Sequence, residues 1–268
     1  MADLRIENRT LTDSPDTAPQ RAFVYQHIHV CDLRPHDLPA HLSVAAAAAR
    51  EVFGIDFRPD PRETDSLCRR MLLANRYPQE LSACIEMRLG DDGTASYRCG
   101  EIFPYKGLQF NAVRPEAVAI CCEVPFGGLP TSARLAAHYV AMAAVRRSGA
   151  RAVAMCDAAG RLVSVCDSPA FAVFGRRIVT PPARPSVERD RVAAAAARAG
   201  YELTEAPVER DELRRADELF FSDCRGITAL SRCDGRTYAD IIARRVAEKI
   251  KIQNSEFSAF PLTSAEKY

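Results

Sequence analysis

A run of proline and glycine near the middle of the chain separates two halves that carry different hydrophobic patterns. The run covers residues 125–130 and includes Gly127 and Gly128. Proline and glycine at this density interrupt both helices and strands. We therefore predict a domain boundary here. The predicted units are a flexible arm over 1–20, an N-terminal α/β domain over 21–126, a C-terminal domain over 131–252 and a tail over 253–268.

The first half combines alternating segments with two helical segments. Apolar and polar residues alternate over 23–30, 81–89 and 94–103, which is typical of half-buried strands, and 117–124 is a continuous apolar stretch. A helix is predicted from Pro39 to Gly54, because proline is favoured at a helix start and glycine at its end. Apolar spacing predicts a second helix over 62–76.

The second half is rich in short strands. Ser132 is predicted to cap a helix that ends at Gly149. Strands are predicted over 152–156, 162–166, 171–174, 178–180, 201–207, 219–221 and 227–230, and helices over 186–199, 210–216 and 238–252.

Charge and composition exclude several classes of function. The chain of 268 residues carries 36 basic and 35 acidic side chains, a net charge of +1, so no overall field attracts nucleic acid or an anionic membrane. No apolar run approaches 18 residues and the N-terminus lacks the pattern of an export signal, so we expect a cytoplasmic protein without a membrane partner.

Cysteine and histidine spacing gives no metal motif. The ten cysteines include no C-x-x-C pair, and in the cytoplasm we expect them to be reduced and largely buried. His27 and His29 share one face of a predicted strand, but no third ligand is evident, so no metal is expected.

The order of short motifs after the break resembles that of the class IV aminotransferases. The similarity covers about residues 23–250, and in the first half it includes His41 in the helix that ends at Phe53-Gly54-Ile55. In the second half it rests on Gly149-Ala150, Ser168-Pro169-Ala170-Phe171, Thr180-Pro181-Pro182, Ala199-Gly200-Tyr201, Ala216-Asp217-Glu218-Leu219-Phe220 and Asp234-Gly235-Arg236.

The resemblance implies an α+β, two-domain fold. A small N-terminal α/β domain would face a C-terminal domain built on a barrel-like mixed sheet. It also implies a homodimer and a cleft between the domains that holds pyridoxal phosphate.

Several positions of the family's cofactor site hold other residues here. Pyridoxal chemistry needs a lysine amine, an acid on the ring nitrogen and a cup for the phosphate. The resemblance places the lysine at Thr131 or Ser132, and the nearest of the four lysines, Lys106, lies 25 residues before Thr131. Three further positions have changed: Ser164 matches the ring-nitrogen glutamate, with Asp167 the nearest acid, Val44 matches a phosphate arginine, and Asp223-Cys224 occupies the phosphate turn.

These substitutions predict a class IV scaffold that binds no cofactor and retains a cleft for a small anionic metabolite, such as an amino acid, a keto acid or a chorismate-like carboxylate. Arginine holds carboxylates well, so the candidate ligand-binding residues are Arg88, Arg189 and Arg225, with Ser164 and Asp223 beside them. The candidate catalytic residues are Cys224, whose thiol a neighbouring cation could activate, and Lys106.

Two alternatives stay open. One is a conventional pyridoxal-phosphate aminotransferase or aminodeoxychorismate-lyase-type enzyme. The other is a non-catalytic dimer partner, so the sequence leaves undecided whether the protein is an enzyme.

Overall fold

The computed structural model describes residues 4–13, 22–182 and 185–256, with side chains described as far as residue 250. Within these ranges the chain forms helices and three β-sheets. The helices are α1 (Leu38–Phe53), α2 (Pro61–Ala74), α3 (Ser132–Arg146), α4 (Val187–Arg198) and α5 (Ile241–Glu256).

The first sheet is antiparallel and carries α1 and α2. Its strands run in the order β2-β1-β6-β5-β3-β4. They are β1 (Arg5–Glu7), β2 (Thr10–Thr12), β3 (Phe23–Cys31), β4 (Arg34–Pro35), β5 (Ala83–Gly90) and β6 (Ala95–Ile102). Ile28, Ile85 and Met87 pack with Leu42 and Met71 in one buried core. Because β1 pairs with β6, residues 5–12 belong to this sheet and do not form the flexible arm that the sequence predicts.

The other two sheets mix parallel and antiparallel pairs. The five-stranded sheet has the order β10-β9-β8-β16-β17, and the six-stranded sheet has the order β13-β12-β11-β14-β15-β7. Their strands are β7 (Gln109–Phe110), β8 (Glu116–Cys121), β9 (Ala152–Cys156), β10 (Leu162–Val165), β11 (Ala170–Phe174), β12 (Arg177–Thr180), β13 (Glu202–Glu205), β14 (Glu218–Asp223), β15 (Gly226–Ala229), β16 (Arg232–Cys233) and β17 (Arg236–Thr237).

One hydrophobic core joins these two sheets, in a half-barrel arrangement. Ala154 and Leu162 of the five-stranded sheet lie in the same buried cluster as Ala172, Leu219 and Phe221 of the six-stranded sheet. On the opposite face of the six-stranded sheet, α4 and α5 cover a second cluster. The α+β fold class is confirmed. The predicted domain limits stay a prediction.

Gly226 sets the approach of β7 to β15. Its φ is +127°, and a Cβ at this position would lie 2.0 Å from the backbone oxygen of Gln109. Only glycine combines this backbone conformation with so close a neighbour. The turn that holds Asp223 and Cys224 is fixed directly before this point.

Three polar contacts connect the β3–α1 region to the C-terminal sheets. The Nδ1 of His29 lies 2.7 Å from the carbonyl oxygen of Cys224. Arg191 of α4 reaches Asp37 at 2.6 Å. The hydroxyl of Tyr25 donates to Asp167. β3 therefore forms one wall of the space between the sheets.

In the described part of the chain, no helix combines the length and the apolar character needed to cross a membrane.

Candidate functional site

Two neighbouring cavities open between the first sheet and the C-terminal sheets. The first chamber has a cavity volume of about 110 Å³ and is lined by β3, α1, the start of α4 and the turn after β14. The second chamber has about 340 Å³ and is lined by α3, β9, β10 and the segment 122–128. Arg134 and Asp167 line both chambers, so they stand in the wall between them.

A central cluster of Tyr25, Arg134 and Asp167 forms that wall. The Nε of Arg134 lies 2.6 Å from a carboxylate oxygen of Asp167, and its Nη2 donates to the Asp167 carbonyl at 2.9 Å. The hydroxyl of Tyr25 donates to the other carboxylate oxygen. Only 8% of the Asp167 side chain is exposed, so this charge depends on its two partners.

Burial and charge fix the protonation states of the cluster. Burial, followed by the Asp167 carboxylate, raises the pKa of Tyr25 well above its usual value, so the phenol keeps its proton. Burial lowers the pKa of Arg134 but the Asp167 carboxylate raises it, and the net shift is upward. At neutral pH the phenol of Tyr25 is therefore neutral and the guanidinium of Arg134 is charged.

The N-terminus of α4 points into the first chamber. Ser186 caps it by accepting a hydrogen bond from the amide of Arg189 at 3.4 Å. The Arg189 side chain lines the same chamber, where it also pairs with Glu205 at 2.8 Å. Ser222, fully buried in the opposite wall, has a hydroxyl without a hydrogen-bond partner among the described residues. A helix N-terminus and an unused hydroxyl suit an anionic group, although the carboxylates of Glu188 and Asp223 line the same chamber.

The turn after β14 lines the first chamber but does not present an activated thiol. A hydrogen bond with Cys84, followed by burial, raises the pKa of Cys224 well above its usual value. The thiol is therefore protonated at neutral pH, against the activation that the sequence suggested. Asp223 accepts hydrogen bonds from the Arg225 amide at 2.8 Å and from its guanidinium at 2.6 Å, so its charge is compensated.

The positions that correspond, by the resemblance, to the family's cofactor-binding residues lie around the two chambers. Val44 lines the first chamber and Ser164 lines the second. Thr131 is buried and caps α3, and Ser132 accepts a hydrogen bond from the amide of Phe23 at 3.4 Å. Thr131 and Ser132 therefore serve the local backbone at the start of α3.

Three other candidates do not line either chamber. Arg88 pairs with Glu86 and lies over the ring of Phe23 at 4.7 Å. Arg225 pairs with Asp223. Lys106 is half exposed and bound to Asp32 at 2.6 Å, so the structure does not bring its amine into the cleft.

The histidines predicted to share a strand face have separate environments. His29 lies between the Cys224 carbonyl and the hydroxyl of Ser82, 3.3 Å from its Nε2. His27 lines the first chamber and packs against the ring of Tyr25 at 5.3 Å between centroids.

Sequence reasoning missed Tyr25 and Arg134 and noted Asp167 only as the nearest acid. The alternation over 23–30 predicts a strand, but that pattern does not show that Tyr25 faces a carboxylate 142 positions away. One signal was present in the sequence. Arg134 lies in the first turn of α3, and the resemblance places the family's lysine at the start of that helix.

Thr131→Ala is expected to lower the free energy of unfolding by about 1 kcal/mol, because it removes the side chain that caps α3. Urea unfolding followed by circular dichroism measures the change. Thr131→Ser keeps the capping oxygen and serves as the control. Equal loss in both variants would mean that the methyl group, and not the cap, stabilises this site.

The fold and the cleft define a two-part α+β protein with a ligand site between its sheets, and comparison with known proteins identifies the family. The family model for amino-transferase class IV matches residues 24–229, so the chain belongs to the class IV aminotransferases. No significant relative was found among curated protein sequences.

Solved structures match almost end to end. The branched-chain aminotransferase of Thermoproteus uzoniensis with norvaline has a TM-score of 0.78, with 17% identity over 92% of this chain and 93% of that one. An aminotransferase from Brucella abortus bound to PLP has a TM-score of 0.77, with 15% identity over 96% of this chain and 100% of that one. A T.th. branched-chain amino acid aminotransferase with pyridoxamine 5′-phosphate has a TM-score of 0.77, with 17% identity over 96% of this chain and 97% of that one.

These structures contradict the expectation that the scaffold takes no cofactor. The Brucella abortus protein is bound to PLP and the T.th. protein to pyridoxamine 5′-phosphate, so the fold of this chain is one that holds this type of molecule. The groups of this chain that could receive its phosphate are the α4 N-terminus and the hydroxyl of Ser222. They do not fit a covalent tether, because no lysine lines the described parts of either chamber.

Proposed function

We propose that the first chamber binds a small metabolite through an anionic group and that it does so without a lysine linkage. The ligand class comprises amino acids, keto acids, chorismate-like carboxylates and vitamin B6 phosphates. The observation that carries the proposal is the buried Ser222 hydroxyl, which has no partner among the described residues and lines the chamber into which α4 begins.

The helix terminus supplies the attraction that the paired side chains lack. Arg134 and Arg189 each have a carboxylate partner, so neither is an uncompensated cation. The free amides at a helix N-terminus, by contrast, carry about half a positive charge and bind phosphate or carboxylate oxygens directly. Because Arg225 compensates Asp223, that carboxylate repels an arriving anion less than an isolated one would.

This chain's own residues would bind and orient the ligand. Ser222 and the first turn of α4 hold the anionic end, and the central cluster closes the opposite end with a phenol hydroxyl and a guanidinium. When bound, a pyridoxal ring supplies an electron sink. With Thr131 at the start of α3 and Lys106 at the surface, no described amine is placed to attach it.

Pyridoxamine 5′-phosphate is expected to bind at least tenfold more tightly than pyridoxamine, because only the phosphate uses the α4 terminus. Calorimetric titration of the full chain measures both affinities. Ser222→Val removes the hydroxyl and is expected to cost about tenfold for the phosphate ester alone. Ser66→Ala, on the exposed face of α2, is the matched control.

Equal binding of the two amines would overturn the assignment of the anionic end. Borohydride treatment after addition of pyridoxal phosphate tests the lack of a lysine linkage. We expect the mass of the chain to stay unchanged. A reduced adduct on Lys106 or another lysine would support the conventional enzyme instead.

A homodimer and a cytoplasmic location belong to the same proposal. Phe126, Tyr139 and Val140 are exposed apolar side chains in and just before α3, and such a surface is commonly covered in an oligomer. All ten cysteines are free thiols, several of them buried, which suits a reducing compartment.

A further inference from the structure

The second chamber, beyond the central cluster, is larger than the first. Its walls are mainly apolar and come from β9, β10 and the segment after β8. The residues that form this apolar surface are Val124, Met155, Leu162, Val163, Pro182 and Pro207. A cavity of about 340 Å³ with an apolar lining and a few polar groups is typical of a small-molecule site.

The charges that line this chamber do not cancel. Arg134 is paired with Asp167, and the Nε of Arg161 lies 2.8 Å from Asp157. The remaining charge is the exposed carboxylate of Glu123, whose Oε2 accepts a hydrogen bond from the amide of Ala158 at 3.1 Å. Glu123 is therefore the one carboxylate of this lining without a cationic partner among the described residues, and it favours a cation at the mouth of the chamber.

His138 on α3 adds a second unused polar group. Its Nδ1 is buried and has no hydrogen-bond partner among the described residues. Burial lowers the pKa of His138, so the ring is neutral at pH 7, and with the proton on Nε2 the Nδ1 atom accepts a hydrogen bond. A buried acceptor without a donor is costly, and a ligand N–H group would satisfy it.

We propose that the second chamber binds a small organic cation with a flat apolar body, such as an aromatic amidine or amine. The cationic nitrogen is held between Glu123 at the mouth and Nδ1 of His138, and the apolar body packs on Met155 and Val163. Glu123 and His138 do not line the first chamber, although Arg134, Val163 and Asp167 line both chambers.

Three probes of nearly equal shape and different charge test this site: benzamidinium, benzamide and benzoate. The chain contains no tryptophan, so Pro207→Trp places a single indole at the exposed edge of the chamber, and its fluorescence reports occupancy. We expect benzamidinium to bind with a Kd on the order of 1 mM, the range for about nine heavy atoms. Benzoate is expected to bind at least tenfold more weakly and benzamide in between.

Variants identify the groups that hold the cation. Glu123→Gln is expected to weaken the binding of benzamidinium about fivefold, as for a partly exposed charge pair. His138→Phe keeps the shape of the ring and is expected to weaken the binding of both probes that carry N–H groups, benzamidinium and benzamide. Glu248→Gln, on the exposed face of α5, is the matched control. Benzoate binding as tightly as benzamidinium, no binding of any probe at 10 mM (about ten times the expected Kd), or full affinity in Glu123→Gln would each overturn the proposal. None of these results bears on the phosphate site, which pyridoxamine 5′-phosphate reports separately.

Discussion

Arg134→Met is expected to lower the free energy of unfolding by about 3–5 kcal/mol, because it leaves the buried Asp167 carboxylate without its cation. The Tyr25 hydroxyl would remain the only side-chain donor to that carboxylate among the described residues. Methionine keeps the length and apolar character of the arginine stem, so the loss reports charge and hydrogen bonds more than packing. Urea unfolding at pH 7 measures the effect.

The double variant separates the interaction energy of the Arg134–Asp167 pair from the cost of each substitution alone. Asp167 has a φ of 60°, in the left-handed region that asparagine tolerates, so Asp167→Asn removes the charge without backbone strain. Adding it to Arg134→Met is expected to recover about 2–3 kcal/mol relative to the sum of the single variants. Arg58→Met, in an exposed pair with Asp56, is the control and is expected to cost less than about 1 kcal/mol. Additive losses at 134 and 167 would contradict the coupling.

The extended and helical segments could be predicted from periodicity and from turn residues. Strand β9 is found at 152–156, as predicted, and α1 ends at Gly54, whose φ of 71° explains why glycine stands there. The start of α5 was placed three residues too early, at 238 instead of Ile241, because the Tyr238 side chain is buried and continues the apolar pattern. Local pattern cannot distinguish a buried residue before a helix from one inside it.

The short edge strands could not be predicted, because their pairing is decided by partners distant in sequence. β1 and β2 are three residues each, and β1 becomes a strand only because β6 lies beside it. β16 pairs in parallel with β8 across more than 100 residues. Such segments carry too few residues to show an alternating pattern.

The motifs point to some of the residues that line the chambers and to none of the central cluster except Asp167. Val44, Arg189 and Cys224 line the first chamber, whereas Arg88 and Arg225 line neither chamber. The central cluster could not be predicted, because each of its three members has an ordinary local role. Tyr25 is a strand residue, Arg134 lies in the first turn of a helix, and Asp167 lies in a turn. Only the fold brings the phenol, the guanidinium and the carboxylate together.

Acidification from pH 7 to pH 4 is expected to remove on the order of 5 kcal/mol of stability, because His29 and His41 are buried in the neutral form. Burial lowers the pKa of His29 to about 3 and that of His41 to about 4, against 6.5 in a model peptide. Well above pH 6.5 neither the folded nor the unfolded chain binds a proton at these rings, so their full contribution to stability is present. Below pH 6.5 the unfolded chain binds protons at these rings and the folded chain does not. Each ring then lowers the free energy of unfolding by about 1.4 kcal/mol per pH unit, until the pH reaches the pKa of that ring in the folded chain.

The hydrogen bonds explain why these rings resist protonation. The Nδ1–H of His41 donates to Gln26 at 2.8 Å, and its buried Nε2 has no acceptor among the described residues for a second proton. The Nε2 of His29 accepts from Ser82, whose oxygen already accepts the amide of Gly107 at 2.8 Å. A second proton on His41 would therefore be buried without a partner, and one on His29 would cost the hydrogen bond that Ser82 donates to it.

The pH slope of stability provides the measurement, and His41→Gln provides the control. Urea unfolding at half-unit steps from pH 8 to pH 4 should show a flat region above pH 7 and then a fall with a slope approaching two protons. Glutamine retains an N–H donor toward Gln26 and cannot titrate, so its slope should be smaller by one proton. An unchanged slope in His41→Gln would show that other groups cause the acid sensitivity. A flat profile down to pH 5 would mean that the folded chain accommodates both charges.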